Sequence, residues 1–280
     1  MKKLILAFQK NEALLNDIKN CKNTEGVQIW WLGQSGFLIS WQGKNVLFDP
    51  YLSDSLTIKY ADTKKPHVRI SELVINPADL DMIDIVTSSH NHTDHLDADT
   101  LIPLLKANPN MAFVIPEANR AFIANRVQCP LDMPYGLSDV DTLKLNGFTF
   151  TGVPAAHNDV ERDKNGKLKY MGFVVQFGNY SVYHSGDTLL YEGMVDILKP
   201  FNLDIAFLPI NGNKPERGVA GNLDCAEAAE LGKQIGAKCV IPHHYDMFEF
   251  NTADVEYFVK EAEKRGIEYK VLRIGERYSI

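Results

Sequence analysis

Seven of the eight histidines in this sequence lie in four short segments, and each segment follows an apolar run that predicts a β-strand. The segments are residues 90–95 (HNHTDH), 156–157 (AH), 183–187 (YHSGD) and 242–245 (PHHY). Open α/β folds place their sites where strands end at one edge of a sheet, so these distant segments are expected to converge in space. Only His67 stands outside this pattern. The histidines therefore favour a layered α/β chain.

Strand and helix patterns alternate along the chain and support this fold class. Asp224 followed by Glu227 predicts a capped helix start, and Gly236 predicts the end of that helix. Residues 51–80 are polar and too long for an ordinary connection, so they are predicted to form a functional loop. The other predicted helices are residues 98–107, 116–126, 190–198 and 253–264, and the predicted strands are residues 27–32, 36–41, 45–48, 83–88, 111–115, 142–145, 148–153, 169–177, 180–184, 204–209, 238–241 and 269–274.

The N-terminal residues 1–24 are predicted to form an amphipathic helix, because the apolar start ends too early for a signal peptide. Four apolar side chains fall near one face of that helix and suit packing against a domain: Leu4, Phe8, Leu15 and Ile18. Neither a Ser/Gly-rich linker nor an internal repeat is visible, so a single domain is predicted.

The composition excludes several classes of function. The formal net charge is −7 and no Lys/Arg stripe occurs, so a nucleic-acid partner is not expected. No stretch approaches the ~20 apolar residues that span a bilayer, so no membrane association is expected. The four cysteines form no CxxC pair, which fits a reducing compartment and predicts a cytoplasmic protein. A small-molecule substrate is the expected partner, and homo-oligomerisation stays open.

The segment at residues 90–95 offers three imidazoles and one carboxylate, from His90, His92, Asp94 and His95. Zn²⁺ and neighbouring transition metals prefer these ligands. In a tight turn after a strand, His90 and His92 could face one ion, and Asp94 and His95 a second. Without a cation the same groups would be costly to bury together. The segment therefore predicts a metal site.

Residues 90–95 resemble the HxHxDH motif of the metallo-β-lactamase superfamily, and the resemblance runs from about residue 27 to residue 280. Other segments match that family's pattern in order: residues 31–37 (WLGQSGF), 48–50 (FDP), His157, 185–188 (SGDT) and 241–245 (IPHHY). Within the superfamily, residues 30–33, 183–187 and 226–242 look most like the branch that contains L-ascorbate-6-phosphate lactonase. The motif is specific for fold and metal site, and poor at naming a substrate.

The resemblance implies a single domain of residues 1–280, with a four-layer αβ/βα sandwich over residues 25–280. One metal would be bound by His90, His92 and His157, a second by Asp94, His95 and His244, and Asp187 would bridge both. Asp49 would steady the ligand loop by hydrogen bonding. The family register selects His244 as the ligand and leaves His243 at the surface or beside a ligand, titrating near a reference pKa of about 6.5.

Two divalent metal ions at such a site, zinc first and manganese as the alternative, would activate water for attack on an ester, lactone or phosphoester. Asp94 is expected to orient the nucleophile, and His184 to contact the leaving group or to support Asp187 instead. The leading substrate, by resemblance, is a small anionic lactone or ester. Phosphodiester hydrolysis and a non-catalytic metal-binding protein are the alternatives. Six cations are candidates for binding a substrate phosphate, with a solvated loop as their alternative: Arg162, Lys164, Lys167, Lys169, Lys214 and Arg217.

Overall fold

The computed structural model describes residues 4–22 and 24–280, and its strands form two mixed sheets. The first sheet contains β1 (Gln28–Gly33), β2 (Gly36–Trp41), β3 (Lys44–Phe48), β4 (Ile85–Thr87), β5 (Ala112–Pro116), β6 (Tyr135–Leu137) and β13 (Arg277–Ser279). The second contains β7 (Thr142–Leu145), β8 (Phe148–Pro154), β9 (Met171–Phe177), β10 (Tyr180–His184), β11 (Ile205–Pro209) and β12 (Cys239–His243). The strand orders are β13-β1-β2-β3-β4-β5-β6 and β12-β11-β10-β9-β8-β7.

The helices flank these sheets. They are α1 (Asn11–Asn20), α2 (Ser55–Lys59), α3 (Ala98–Ala107), α4 (Arg120–Val127), α5 (Met194–Leu198), α6 (Cys225–Gln234) and α7 (Val255–Arg265). The predicted capping box at the start of α6 is confirmed, since the Asp224 side chain accepts from the backbone of Glu227 while the Glu227 side chain accepts from the backbone of Asp224. Helix α6 packs against α7 and against β11 and β12, and so covers this part of the second sheet.

The main core lies between the two sheets. Phe37 on β2 contacts Phe207 on β11 with 4.2 Å between ring centroids, and Trp41 on β2 contacts Phe148 on β8 at 5.8 Å. Every residue of β5, β11 and β12 is buried, as expected of strands that are covered on both faces. The predicted αβ/βα sandwich is confirmed.

Parallel pairing determines where the histidine segments lie. β3, β4 and β5 run parallel in the first sheet, and β10, β11 and β12 run parallel in the second. The carboxyl ends of parallel neighbours meet at the same edge of a sheet. Within each sheet, the residues that follow these strands therefore lie at one edge. The two edges adjoin, since His95 Nε2 after β4 lies 3.3 Å from His244 Nε2 after β12, as the positions of the histidines predicted.

Two predicted elements are wrong. Residues 4–10 are extended, with Ile5 N donating to Ile70 O (2.8 Å), and the helix begins only at Asn11, because backbone pairing with residues 70–74 replaces helical hydrogen bonds. Residues 1–3 and 23, also part of the predicted N-terminal helix, lie outside the described residues.

The second wrong prediction is the strand at residues 269–274, where the structure has only an isolated bridge from Tyr269 to Val240. This run is apolar because it packs into the core, but its carbonyls accept from loop groups such as Phe8 N, which donates to Ile274 O. The last strand is β13, and the sequence did not predict it or β6. Within residues 4–22 and 24–280, no helix is long and apolar enough to cross a bilayer.

Candidate metal centre

The loop of residues 88–96, which follows β4 and is called the ligand loop below, is held in a tight turn. The His92 carbonyl accepts from His95 N (3.1 Å) and from Leu96 N (2.8 Å). This turn places the His90 ring centroid 4.2 Å from that of His95 and 4.6 Å from that of His92. The spacing of the HxHxDH motif thus brings three imidazoles together before any other segment contributes.

Three strand ends of the second sheet complete the cluster. His157 comes after β8, Asp187 after β10 and His244 after β12. Asp187 Oδ1 lies 2.7 Å from His244 Nε2 and 3.2 Å from His95 Nε2, and Asp187 Oδ2 lies 3.6 Å from His157 Nε2. Asp187 is therefore placed between the two halves of the cluster.

The structure brings all seven predicted metal ligands together in two overlapping groups. The first group is His90, His92, His157 and Asp187, and the second is Asp94, His95, Asp187 and His244. Within each group the candidate ligand atoms lie within 4.8 Å of one another. This division is the one that the family resemblance implied, with Asp187 shared.

The charges of the centre fit divalent cations. Asp49 and Asp187 are buried and Asp94 is partly exposed, and within residues 4–22 and 24–280 none of the three forms an ion pair with Lys or Arg. Although burial opposes it, His244 and His95 hold the pKa of Asp187 well below its usual range. Burial brings the pKa of His90 well below its usual value, so this ring is neutral.

Two buried atoms of the cluster form no hydrogen bond of acceptable geometry within the described residues, His90 Nε2 and Asp187 Oδ1, although Asp187 Oδ1 lies only 2.7 Å from His244 Nε2. A neutral imidazole lone pair and a carboxylate oxygen are the donors that a divalent metal ion accepts. Carboxylates without a Lys or Arg partner, crowded among imidazole lone pairs in one buried space, are costly unless a cation binds there. The residues present therefore fit a metal site.

Asp49 holds the ligand loop in place by hydrogen bonds, the role that the resemblance implied. Its Oδ2 accepts from His95 Nδ1 (2.8 Å), and its Oδ1 accepts from the Thr87 hydroxyl (2.8 Å) and from Ser89 N (3.1 Å). Although burial opposes it, the hydrogen bond from His95 lowers the pKa of Asp49, so its carboxylate stays ionised. An ionised Asp49 fixes the His95 ring with Nδ1 protonated and Nε2 free for a metal.

The turn between β1 and β2 supports the centre through residues to which the sequence assigned no role. Gln34 Nε2 donates to Asp94 Oδ2 (2.8 Å) and lies 3.1 Å from His244 Nδ1. The Ser35 hydroxyl lies 3.0 Å from His243 Nδ1. Both residues belong to the WLGQSGF segment that matched the family pattern, so a signal was present, but a match to a motif does not reveal which side chain is contacted.

His184 does not line the cavity that opens beside the metal cluster and is described below. Its side chain is completely buried, Nε2 donates to Ser35 O (2.8 Å), and the ring stacks on Phe48 (5.1 Å between centroids) and on His243 (5.4 Å). This placement disagrees with the predicted contact to substrate or leaving group. It fits the alternative, a supporting residue in the sequence neighbourhood of Asp187.

His243 and His244 are both buried, which corrects the expectation that His243 lies at the surface. β12 ends at His243, whose ring faces Phe37 and His184, and burial brings its pKa well below the reference value. His244 adopts a left-handed backbone conformation (φ 63°), which directs its side chain to the cluster instead of to the far face of the sheet. The structure thus brings His244, and not His243, into the ligand groups.

A cavity of about 400 Å³ opens beside the cluster. Its wall includes Leu56, Lys59, Tyr60, His67, Asn91, His92, Thr93, Asp94, Arg126, His157, Asp187, Gly218, Val219, Ala220, Asn222, His244, Phe248 and Asn251. Four of these lining residues belong to the segment predicted as a functional loop: Leu56, Lys59, Tyr60 and His67. A cavity of about 520 Å³ near α1 contains no member of either ligand group, so we assign substrate binding to the smaller one.

None of the six basic residues proposed from the sequence lines this cavity. Arg162 pairs with Asp139, Lys169 pairs with Glu161, and Arg217 donates to the Asn211 carbonyl. The cations in the wall are instead Lys59 on α2 and Arg126 on α4. Lys59 could have been noticed from its place in the predicted functional loop, whereas Arg126 at the end of a helix carries no signal.

Comparisons with known proteins agree with this geometry. The family model described as a β-lactamase superfamily domain matches residues 28–244. A UPF0173 metal-dependent hydrolase of Rubrobacter xylanophilus is 31% identical over 88% of this chain and 93% of its own length. A UPF0173 metal-dependent hydrolase of Methanocaldococcus jannaschii is 32% identical over 89% of this chain and 98% of its own length.

Solved structures of similar fold include Igni18, a metallo hydrolase from Ignicoccus hospitalis, with a TM-score of 0.67 at 21% identity over 91% of this chain and 98% of that one. An isothiocyanate hydrolase from Delia radicum gut bacteria has a TM-score of 0.71 at 19% identity over 90% of this chain and 99% of that one. At such identities these structures support the fold alone. The family match and the two relatives show that the chain belongs to the metallo-β-lactamase superfamily and, within it, to the UPF0173 metal-dependent hydrolases.

Proposed function

We propose that this metal-dependent hydrolase binds two divalent metal ions and cleaves a small anionic lactone or ester. The observation that carries the proposal is the pair of ligand groups that share Asp187 and face one cavity of about 400 Å³. A cavity of this volume suits a small molecule. The resemblance of residues 30–33 and 183–187 to the lactonase branch supports the choice of reaction.

The donor set favours zinc, with manganese as the alternative. Both groups consist of imidazole nitrogens and carboxylate oxygens, and neither contains a cysteine. When bound, the metal ions would lower the pKa of a water molecule and polarise the bond that is cleaved. A structural metal site is closed by its protein ligands and needs no adjoining cavity. The cavity beside the cluster therefore supports catalysis over non-catalytic metal binding.

Asp94 is the residue best placed to orient the attacking water. Its Oδ2 faces the cluster, 3.7 Å from His95 Nε2 and 3.9 Å from His244 Nε2, and it is held by the hydrogen bond from Gln34. Its side chain is 17% exposed and lines the cavity. Asp94 Oδ1 is thus available to accept a proton from water at the cavity wall.

The experiment measures metal content and hydrolysis in the same protein. Protein loaded with Zn²⁺ or Mn²⁺ is assayed against lactones, carboxylic esters and phosphodiesters, before and after treatment with EDTA. We expect about two metal ions per chain, lactone or ester hydrolysis, and loss of this activity on chelation. Less than about a tenth of an equivalent of bound metal, or hydrolysis of phosphodiesters alone, would overturn the proposal.

A further inference from the structure

We infer that Arg126 and Lys59 form an anion-binding subsite in the cavity and bind a carboxylate or phosphate group of the substrate. The inference rests on the proposed function, because it names the group by which that hydrolase would select its substrate. Both side chains line the cavity that the metal ligands face, and they come from different helices.

Arg126 is held in place with one edge of its guanidinium open. Nη1 donates to the Asn91 carbonyl (2.7 Å) and makes a long contact to the Leu96 carbonyl (3.4 Å), both in the ligand loop. The guanidinium also stacks on Phe122, 4.6 Å from its ring centroid. Within residues 4–22 and 24–280, Nε and Nη2 donate to no other protein group. An Nε/Nη2 edge matches the two oxygens of a carboxylate or phosphate.

Among the arginines of the described residues, Arg126 and Arg217 alone form no ion pair, and of these two only Arg126 lines the cavity beside the metal cluster. Arg120, six residues earlier on the same helix, makes a paired contact with Glu117, and Arg265 pairs with Glu230 and Glu261. In the described part of the chain, Arg126 forms no ion pair. Burial lowers the pKa of its guanidinium, and Asp97, which lies beyond ion-pair distance, acts in the opposite direction. A half-buried cation without a carboxylate in direct contact is stabilised when an anion binds to it.

Lys59 adds a second positive charge to the same cavity. It is the last residue of α2 and its ammonium group lies 5.1 Å from the ring centroid of Tyr60. Among residues 4–22 and 24–280, Lys59 is in no ion pair and no side-chain hydrogen bond. Apart from the contact with Tyr60, nothing therefore indicates a structural role for Lys59, whereas Arg126 also stabilises the ligand loop.

The location of the two cations decides what they can bind. Arg126 contacts the ligand loop through the carbonyl of Asn91, the residue between His90 and His92. An anion on the open edge of the guanidinium would therefore lie close to the metal centre, but on groups that belong to neither ligand set. One end of a short substrate could then bind the cations while the bond to be cleaved reaches the metals.

The test compares an anionic ester with a neutral one. The probes are the mono-para-nitrophenyl ester of succinic acid and para-nitrophenyl acetate, assayed with metal-loaded wild type, Arg126→Ala, Arg126→Lys and Lys59→Gln. We expect Arg126→Ala to raise KM for the succinate ester about 10- to 100-fold more than KM for the acetate ester, because any effect through the ligand loop acts on both esters alike. Arg126→Lys should restore part of the loss, and Lys59→Gln should raise KM for the succinate ester several-fold.

Lys64→Gln is the matched control, because Lys64 is an exposed lysine of the same segment that lines a different cavity. It should change neither KM. If Arg126→Ala lowers the activity toward both esters equally and also loses metal, Arg126 only stabilises the ligand loop. If Lys59→Gln then leaves KM for the succinate ester unchanged as well, the subsite is overturned.

A binding measurement separates failure of the subsite from failure of the proposed activity. Calorimetry with succinate and with inorganic phosphate distinguishes the two anion types in the wild type and in the variants. Weaker binding in Arg126→Ala and Lys59→Gln supports the subsite even if neither ester is hydrolysed. Binding that disappears with EDTA but is unaffected by both substitutions shows that the anions contact the metals alone, which overturns the inference.

Discussion

Replacement of Asp49 by Asn tests whether a residue that binds no metal sets the affinity of one half of the centre. Asp49 is completely buried, and both of its oxygens face donors: His95 Nδ1 on one side, and the Thr87 hydroxyl and Ser89 N on the other. An amide nitrogen at either position would meet one of these donors. The substitution therefore removes a charge-assisted hydrogen bond and leaves a buried mismatch that no rotation of the side chain relieves.

The expected effect is asymmetric. Loss of a carboxylate behind a ligating imidazole costs about 10- to 100-fold in metal affinity, on the order of 1.4–2.8 kcal/mol. Asp49 contacts a metal ligand directly only at His95, and it reaches His90 of the other group through the Ser89 hydroxyl. Competition with a chromogenic chelator, combined with elemental analysis, should show one weakened site and one that is nearly unchanged.

Asp84→Asn is the control for this experiment. Asp84 also accepts a backbone hydrogen bond, from Asn45 N (2.9 Å), and pairs with Lys44 (2.8 Å), but it lies at the opposite end of β4 from the ligand loop. Its replacement should leave both metal affinities unchanged. Equal weakening of the two sites by Asp49→Asn, or no weakening of either, would refute the proposed coupling through His95.

Four further substitutions have distinct expected results. Asp94→Asn should lower kcat about 100-fold or more while changing the unfolding temperature little, as measured by kinetics and thermal denaturation. His244→Ala should lose one metal ion in elemental analysis, whereas His243→Ala should keep both and lose roughly 2–5 kcal/mol of stability in urea, because a buried ring leaves a cavity. Gly172→Ala should cost about 1–3 kcal/mol in the same assay, because its Cβ would lie 2.8 Å from the Tyr183 ring.

The sequence was most informative where chemistry and strand ends coincide. The ligand residues follow buried strands, where a cluster of imidazoles and carboxylates favours a metal site, although His184 and His243 occupy similar positions and belong to neither ligand group. The grouping of the ligand residues in space could therefore be predicted before the fold was known. The layered α/β class was equally accessible, because buried parallel strands such as β11 and β12 are continuous apolar runs. The αβ/βα sandwich itself was implied by the family resemblance.

The sequence was least informative where packing between the sheets decides the direction of a side chain. His184 and His243 stack on each other between the two sheets, 5.4 Å apart, and strand periodicity does not predict this packing. Only the family register selected His244 over its neighbour. A backbone conformation with positive φ at His244 makes the difference, and a β-strand pattern does not reveal it. The strand predicted at residues 269–274 failed for a related reason, since burial alone does not determine where backbone hydrogen bonds go.

The division of the site between two kinds of element explains why its chemistry can be inferred more readily than its substrate. The metal ligands lie on strand ends and short turns held by residues such as Asp49 and Gln34, so their geometry depends on the whole sandwich. Lys59 and Arg126 reach the same cavity from α2 and α4, two helices that supply no metal ligand. Changes on these helices could alter the substrate without replacing a ligand. The substrate is therefore best sought through these two side chains, by pairing each charge-removing variant with anionic and neutral esters of otherwise similar structure.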